Sequence, residues 1–140
     1  MGGQRYPDMW VDPEDDPREG GPRLGDERST LTEFLRWQRL TLELKCSGLD
    51  AEQLARRSVE PSTMSLLGLV RHMAEVERAW FRRVIDGQDV PLVWGEGWDF
   101  QAAYDATGAT RAEAFAAWEA EVAHARRIEA AAPSLDVTGV

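Results

Sequence analysis

The chain has 140 residues, 43% of them hydrophobic and 29% charged, and a formal net charge of -9. That is length and composition for one ordinary globular domain. The acidic balance argues against a nucleic-acid binder and against a polybasic membrane-surface protein, since both need cationic patches. No apolar run approaches the roughly 20 residues that a membrane-spanning helix needs. No charged-then-apolar pattern opens the chain, and the single cysteine, Cys46, cannot form an internal disulfide. Together these features predict a cytoplasmic, reducing compartment.

Residues 1–28 stand apart. They hold four of the seven prolines, five of the twelve glycines, and eight acidic residues against four arginines. Such a stretch resists helix formation and buries little. It reads either as a disordered leader or as an extended arm that docks through Tyr6, Met9, Trp10 and Val11. Residues 29–140 form the helical domain.

Thr30-Leu31-Thr32-Glu33 has the form of a capping box and opens a first helix over about 30–47, with Gly48 as its stop. Leu31, Phe34, Leu35, Trp37, Leu40, Leu42 and Leu44 supply its apolar positions. Asp50 and Gln53 cap a short helix ending near Arg57. Ser62, Thr63 and Ser65 offer caps for the clearest helix, about 65–86, which Gly87 ends. At 100° steps Leu66, Leu69, Val70, Met73, Trp80 and Val84 fall on one arc. Arg71, Glu75, Arg78 and Arg82 fall opposite, on what reads as a wet face with Arg71–Glu75 and Glu75–Arg78 pairs. Residues 87–109 are loop-like, with a short helical turn near 100–105. Thr110 and Glu113 form a third capping box, for a helix over about 111–131 that buries Ala114, Phe115, Trp118, Val122, Ala125 and Ile128. No strand and no repeat is evident. The fold class is all-α with three main helices, and the wide arc on 65–86 asks for a fourth element or a second subunit.

Few residues can carry chemistry. Cys46 sits near a helix C-terminus, which raises a thiol pKa, so it reads as structural. His72 lies at the edge of the apolar arc, where its ring either faces a groove as a ligand or bonds a neighbour. Glu77 falls inside the arc and needs a partner. His124 lies beside the buried stripe of its helix. Trp37, Trp80 and Trp118 read as core. Trp94 and Trp98 either line a pocket or cap the bundle.

The stretch PSTMSLLGLVRHMAEVERAWFRR (61–83) resembles the second-helix signature of the DinB-like superfamily. GDERSTL (25–31) and WQRLTLELKCSGL (37–49) resemble the first helix of an actinobacterial branch related to mycothiol-dependent enzymes. The resemblance implies an up-down-down-up four-helix bundle. It also implies a divalent metal, zinc or nickel, held by three histidines. His72 stands at the second-helix position, and the other two belong to a fourth helix. Relatives transfer or isomerise adducts of thiols such as mycothiol. This chain stops at Leu135–Val140, before such a helix begins. The expectation is therefore an incomplete metal site with His72 as its one ligand, a thiol cosubstrate, and doubtful activity. The rival expectations are a homodimerising or binding module and a truncated remnant.

Overall fold

Asp26 starts the first helix. Its carboxylate accepts the Ser29 N–H at 2.8 Å, and α1 runs Glu27–Cys46 in the computed structural model, which describes residues 11–140. The Thr30 cap predicted from sequence is overtaken one turn earlier. Thr30 Oγ1 instead donates to the Asp26 carbonyl at 2.9 Å, and Glu33 pairs with Arg36 at 2.7 Å. The carboxylate that first meets the free N–H groups of a nascent helix sets its start.

The chain divides into two compact units, residues 1–47 and 48–140. In the first, the segment before α1 is fastened by charge. Arg18 Nη2 lies 2.6 Å from Asp16 Oδ2, and both side chains are buried. The guanidinium sits 4.4 Å from the Trp37 ring centroid and donates to Thr41 Oγ1 at 3.3 Å. Arg36 Nη2 donates to the Arg18 carbonyl at 2.9 Å. Among the described residues the arm is therefore docked, and it docks through an ion pair over an indole. Of the apolar cluster expected to dock it, Val11 is half-buried; Tyr6, Met9 and Trp10 lie outside the described residues. The Arg18 guanidinium holds the Asp16 carboxyl below the usual carboxylate range. On α1 the buried residues are Arg39 and Cys46, while Leu31 and Phe34 are exposed.

In the second unit, Asp50 and Gln53 close the expected capping box of α2, Ala51–Ala55. Ser65 caps α3, Leu66–Glu77, through the Gly68 N–H. This helix continues without a break as a π-helical stretch, Arg78–Ile85, and stops where Gly87 takes a φ of +64°. A 3₁₀ turn covers Phe100–Tyr104. Thr110 and Glu113 open α4, Arg111–Ala131, as predicted. Leu54, Leu67, Val70 and Ala74 form the core with Ala114, Trp118, Val122 and Ala125. The described residues contain no strand, so the fold is all-α with three long helices. No described helix is long and apolar enough to cross a membrane.

The face of α3 expected to be wet is covered. Glu75 is only 2% exposed. Arg78 Nη1 and Arg82 Nε donate to Glu121 of α4 at 2.7 and 3.0 Å, rather than Arg78 pairing with Glu75. Trp80, expected in the core, is 62% exposed, and Trp37 is also exposed. The helical wheel weighs side-chain apolarity alone. Residues 87–109 bring backbone N–H and C=O groups that only polar side chains can satisfy, so that segment settles on the polar face.

Replacing Arg18 with Ala removes the guanidinium from the buried Asp16 carboxylate and leaves it the backbone N–H of residue 18, at a cost of about 1–3 kcal/mol. Limited trypsin digestion should then cut faster at the exposed Arg23. The depressed Asp16 pKa makes its contribution present above the unfolded carboxylate value. That contribution is lost as pH falls through the lower folded value. Wild-type protection at Arg23 should hold at pH 7 and fade below about pH 4. Digestion that ignores both changes would contradict the docking.

Candidate functional site

His72, Glu75 and Val76 occupy one stripe of α3 at helical spacing, and Ala79 continues it at the start of the π-helical stretch. The π-helical stretch extends the stripe with Trp80 and Val84. With Phe100 these residues line a pocket of about 290 Å³. Its walls are apolar apart from His72 and Glu75.

The far wall is held in place by charged side chains of α3. Glu75 accepts the N–H of Val93 and, at 2.9 Å, that of Trp94. Trp94 Nε1 donates back to the Arg71 carbonyl at 2.9 Å, and the Arg71 guanidinium lies 4.0 Å from the Trp94 ring centroid. Arg71 also donates to the carbonyls of Ala103 at 2.9 Å and Ala102 at 3.3 Å. Both ends of the segment 93–103 are thus tied to one helical turn. Phe100 lies between the ties, and Tyr104 follows the second.

Tyr104 stacks on His72, with ring centroids 4.6 Å apart and planes 20° apart. Gly68, one turn before His72, permits this. A Cβ there would stand 2.9 Å from the Tyr104 carbonyl oxygen and 3.3 Å from its Cα. Backbone atoms cannot yield to such a contact, so only glycine lets the 3₁₀ turn approach α3 this closely. His72 Nδ1 is buried and has no hydrogen-bond partner among the described residues. Burial pushes the imidazole pKa down, with the Glu75 carboxylate pulling weakly the other way. The ring is therefore neutral at neutral pH.

The other sequence candidates lie elsewhere. His124 Nε2 is 3.4 Å from Asp86 Oδ2, and its Nδ1 is 3.2 Å from Arg127 Nη2. Glu77 is buried on α3, and Cys46 is buried at the end of α1. Trp98 is exposed beneath Arg83, and Trp94 pins the loop, so neither lines the pocket. Sequence reasoning missed Glu75, Phe100 and Tyr104. Gly68 carried an unused signal, because glycine within a helix costs about 1 kcal/mol and so points to a packing demand.

A catalytic zinc takes about three protein ligands. Among the described residues no group of three or more His, Cys, Asp or Glu side chains comes together to hold a metal ion. Glu75 gives one carboxylate oxygen, Oε1, to two backbone N–H groups, so His72 and the other Glu75 oxygen supply at most two donors from the pocket lining, short of three. By themselves the described residues do not fit a divalent ion.

Two outcomes follow from this geometry. Glu75→Ala strands two amide groups and should cost roughly 2–4 kcal/mol in urea unfolding, with altered Trp94 emission in the folded state. A loss below 0.5 kcal/mol would contradict the tie, about the size of a neutral surface change. For His72 the folded pKa lies below the unfolded one, so the unfolded chain takes up the proton first and stability falls as pH drops through about 6.5. His72→Gln removes that loss. The wild-type urea midpoint should therefore drop more than the variant's between pH 7.5 and 5.5.

No curated protein and no solved structure matches the chain. The family model described as Mycothiol-S-transferase matches residues 30–140, from within α1 through the whole second unit. The match takes in His72, its stacking partner and every residue lining the pocket. The chain belongs to the mycothiol-S-transferase family, a DinB-like family.

Proposed function

We propose that the protein joins a low-molecular-weight thiol of the mycothiol type to an electrophile at the pocket beside His72. Family membership supports the thiol chemistry. The observation that carries the choice of site is His72 itself: its imidazole lines a largely apolar pocket, and its buried Nδ1 has no hydrogen-bond partner among the described residues. Leaving such a group unsatisfied costs free energy, and groups of this kind concentrate where function offsets the cost.

The reaction is RSH + R′–X → RS–R′ + X⁻ + H⁺. The S–H proton passes to the neutral imidazole. The thiolate attacks the carbon bearing X, the C–S bond forms as the C–X bond breaks, and X leaves with the electron pair. The imidazolium then releases its proton to water. The depressed His72 pKa keeps the accepting form populated at neutral pH. A divalent ion, zinc or nickel, is the cofactor that the family resemblance implies. His72 and Glu75 are the donors that the described pocket residues offer it, short of the usual three, and the thiol proton is assigned to the imidazole.

A second reading is a helical module that pairs with another copy of itself. It is favoured by Leu31 and Phe34, two large apolar side chains exposed side by side on α1 at 53% and 65%. Light scattering decides it: a monomer at all concentrations would remove it.

With mycothiol and an alkylating electrophile, His72→Ala should lower the transfer rate about 100-fold or more, and His124→Ala should leave it unchanged. Equal rates for wild type and His72→Ala would contradict the proposal. Retention of the rate after dialysis against a chelator supports proton transfer to the imidazole. A loss restored by zinc would assign His72 to an ion instead.

A further inference from the structure

We infer that this pocket selects the electrophile and not the thiol. Val76, Ala79, Trp80, Val84 and Phe100 take its uncharged apolar part, an aromatic or branched alkyl group, while the polar body of the thiol stays in water. The inference rests on the thiol-transfer reading above and names the substrate class for it.

Hydrogen bonding is the first argument. A ligand's hydroxyl, amide or ammonium group loses its water on entering a pocket and needs a replacement partner. Apart from the imidazole, the lining offers only the Glu75 carboxylate, an acceptor whose Oε1 is already taken by the Val93 and Trp94 amides. A hydroxyl-rich molecule would be excluded on those grounds, and an apolar one would not.

Size is the second. About 290 Å³ lies at the small end of ligand pockets, which run from roughly 300 to 1,000 Å³. It suits one ring system or a branched chain. A protein segment would find few partners there for its backbone groups.

The third is the placement of Trp80 and His72. Trp80 lines the pocket yet stays 62% exposed. An indole face left open to water is a platform for a flat apolar ligand. His72 lines the same pocket, so a group lodged on Trp80 holds its reacting carbon near the imidazole that takes the thiol proton. Phe100 completes the wall, and Glu75 and Arg71 fix it there through residues 93–94 and 102–103. Phe100 and Trp80 are thus specificity-determining residues that need not touch the thiol.

The test is binding without chemistry. The purified chain is titrated with N-phenyl-1-naphthylamine, an uncharged, non-reacting probe whose emission rises out of water, with no thiol present. The inference predicts saturable binding of one probe per chain. Ala79→Met fills the pocket and Trp80→Ala removes its platform, so each should weaken binding about tenfold. Circular dichroism confirms that each variant is folded. Trp80 is exposed, so its variant stands in if Ala79→Met fails to fold. His124→Ala, outside the pocket lining, should bind the probe within about twofold of wild type. Myo-inositol, a polar ring of similar size, should not compete. No saturable binding, binding indifferent to both pocket variants, or competition by inositol would overturn the inference. So would probe release as the chain self-associates, which would mean that a second copy covers the groove. Probe binding with no thiol transfer strikes the transferase reading and leaves the apolar selectivity of the pocket standing.

Discussion

The second unit depends on how the backbone of residues 87–109 is satisfied. This long segment lies against a helix rather than a sheet, so its N–H and C=O groups have no ladder to join. Four charged side chains of the helix Leu66–Ile85 take that role. Arg71 serves the carbonyls of Ala102 and Ala103, and Glu75 serves the amides of Val93 and Trp94. Arg78 Nε donates to the Pro91 carbonyl at 2.7 Å, and Arg83 donates to that of Val90. These bonds convert a loop into a wall. The positions of Phe100 and Tyr104, and hence the pocket, are consequences of them.

The same arrangement explains the state of His72. Gly68 admits the 3₁₀ turn, the turn delivers Tyr104, and Tyr104 covers one face of the imidazole. Covered and without a bond at Nδ1, the ring stays neutral in an apolar setting. A neutral imidazole is what a thiol proton needs as an acceptor. It is also a donor nitrogen, but the described residues bring together no group of three ligands around it. A divalent ion would need more donors than the described residues bring together, while the proton transfer proposed for His72 would need only the imidazole.

Much of the fold was legible from local chemistry. Ser65, the Asp50–Gln53 pair and the Thr110–Glu113 pair each cap the helix that their spacing predicts. The short turn expected near 100–105 falls at Phe100–Tyr104. The start of α1 was not, because Asp26 and Thr30 are both competent caps and the earlier one prevails. The docking of Arg18 on Trp37 depends on a fold-back from residue 18 to residue 37, which no local pattern encodes. At the site, His72 was legible as the one histidine at the edge of an apolar arc. Glu75 was read as solvated because periodicity cannot see that a loop will lie across it. Phe100 and Tyr104 were invisible until that loop was placed.

The central claim is that Glu75 fixes the loop wall of the His72 pocket, and amide hydrogen exchange reads that bond directly. In the wild-type chain at neutral pH, the amides of Val93 and Trp94 should exchange far more slowly than those of exposed loop residues such as Glu96 and Gly97. Their protection should track the stability of α3. Exchange of both amides at the rate of an unstructured chain, in a protein whose α3 amides remain protected, would contradict the account.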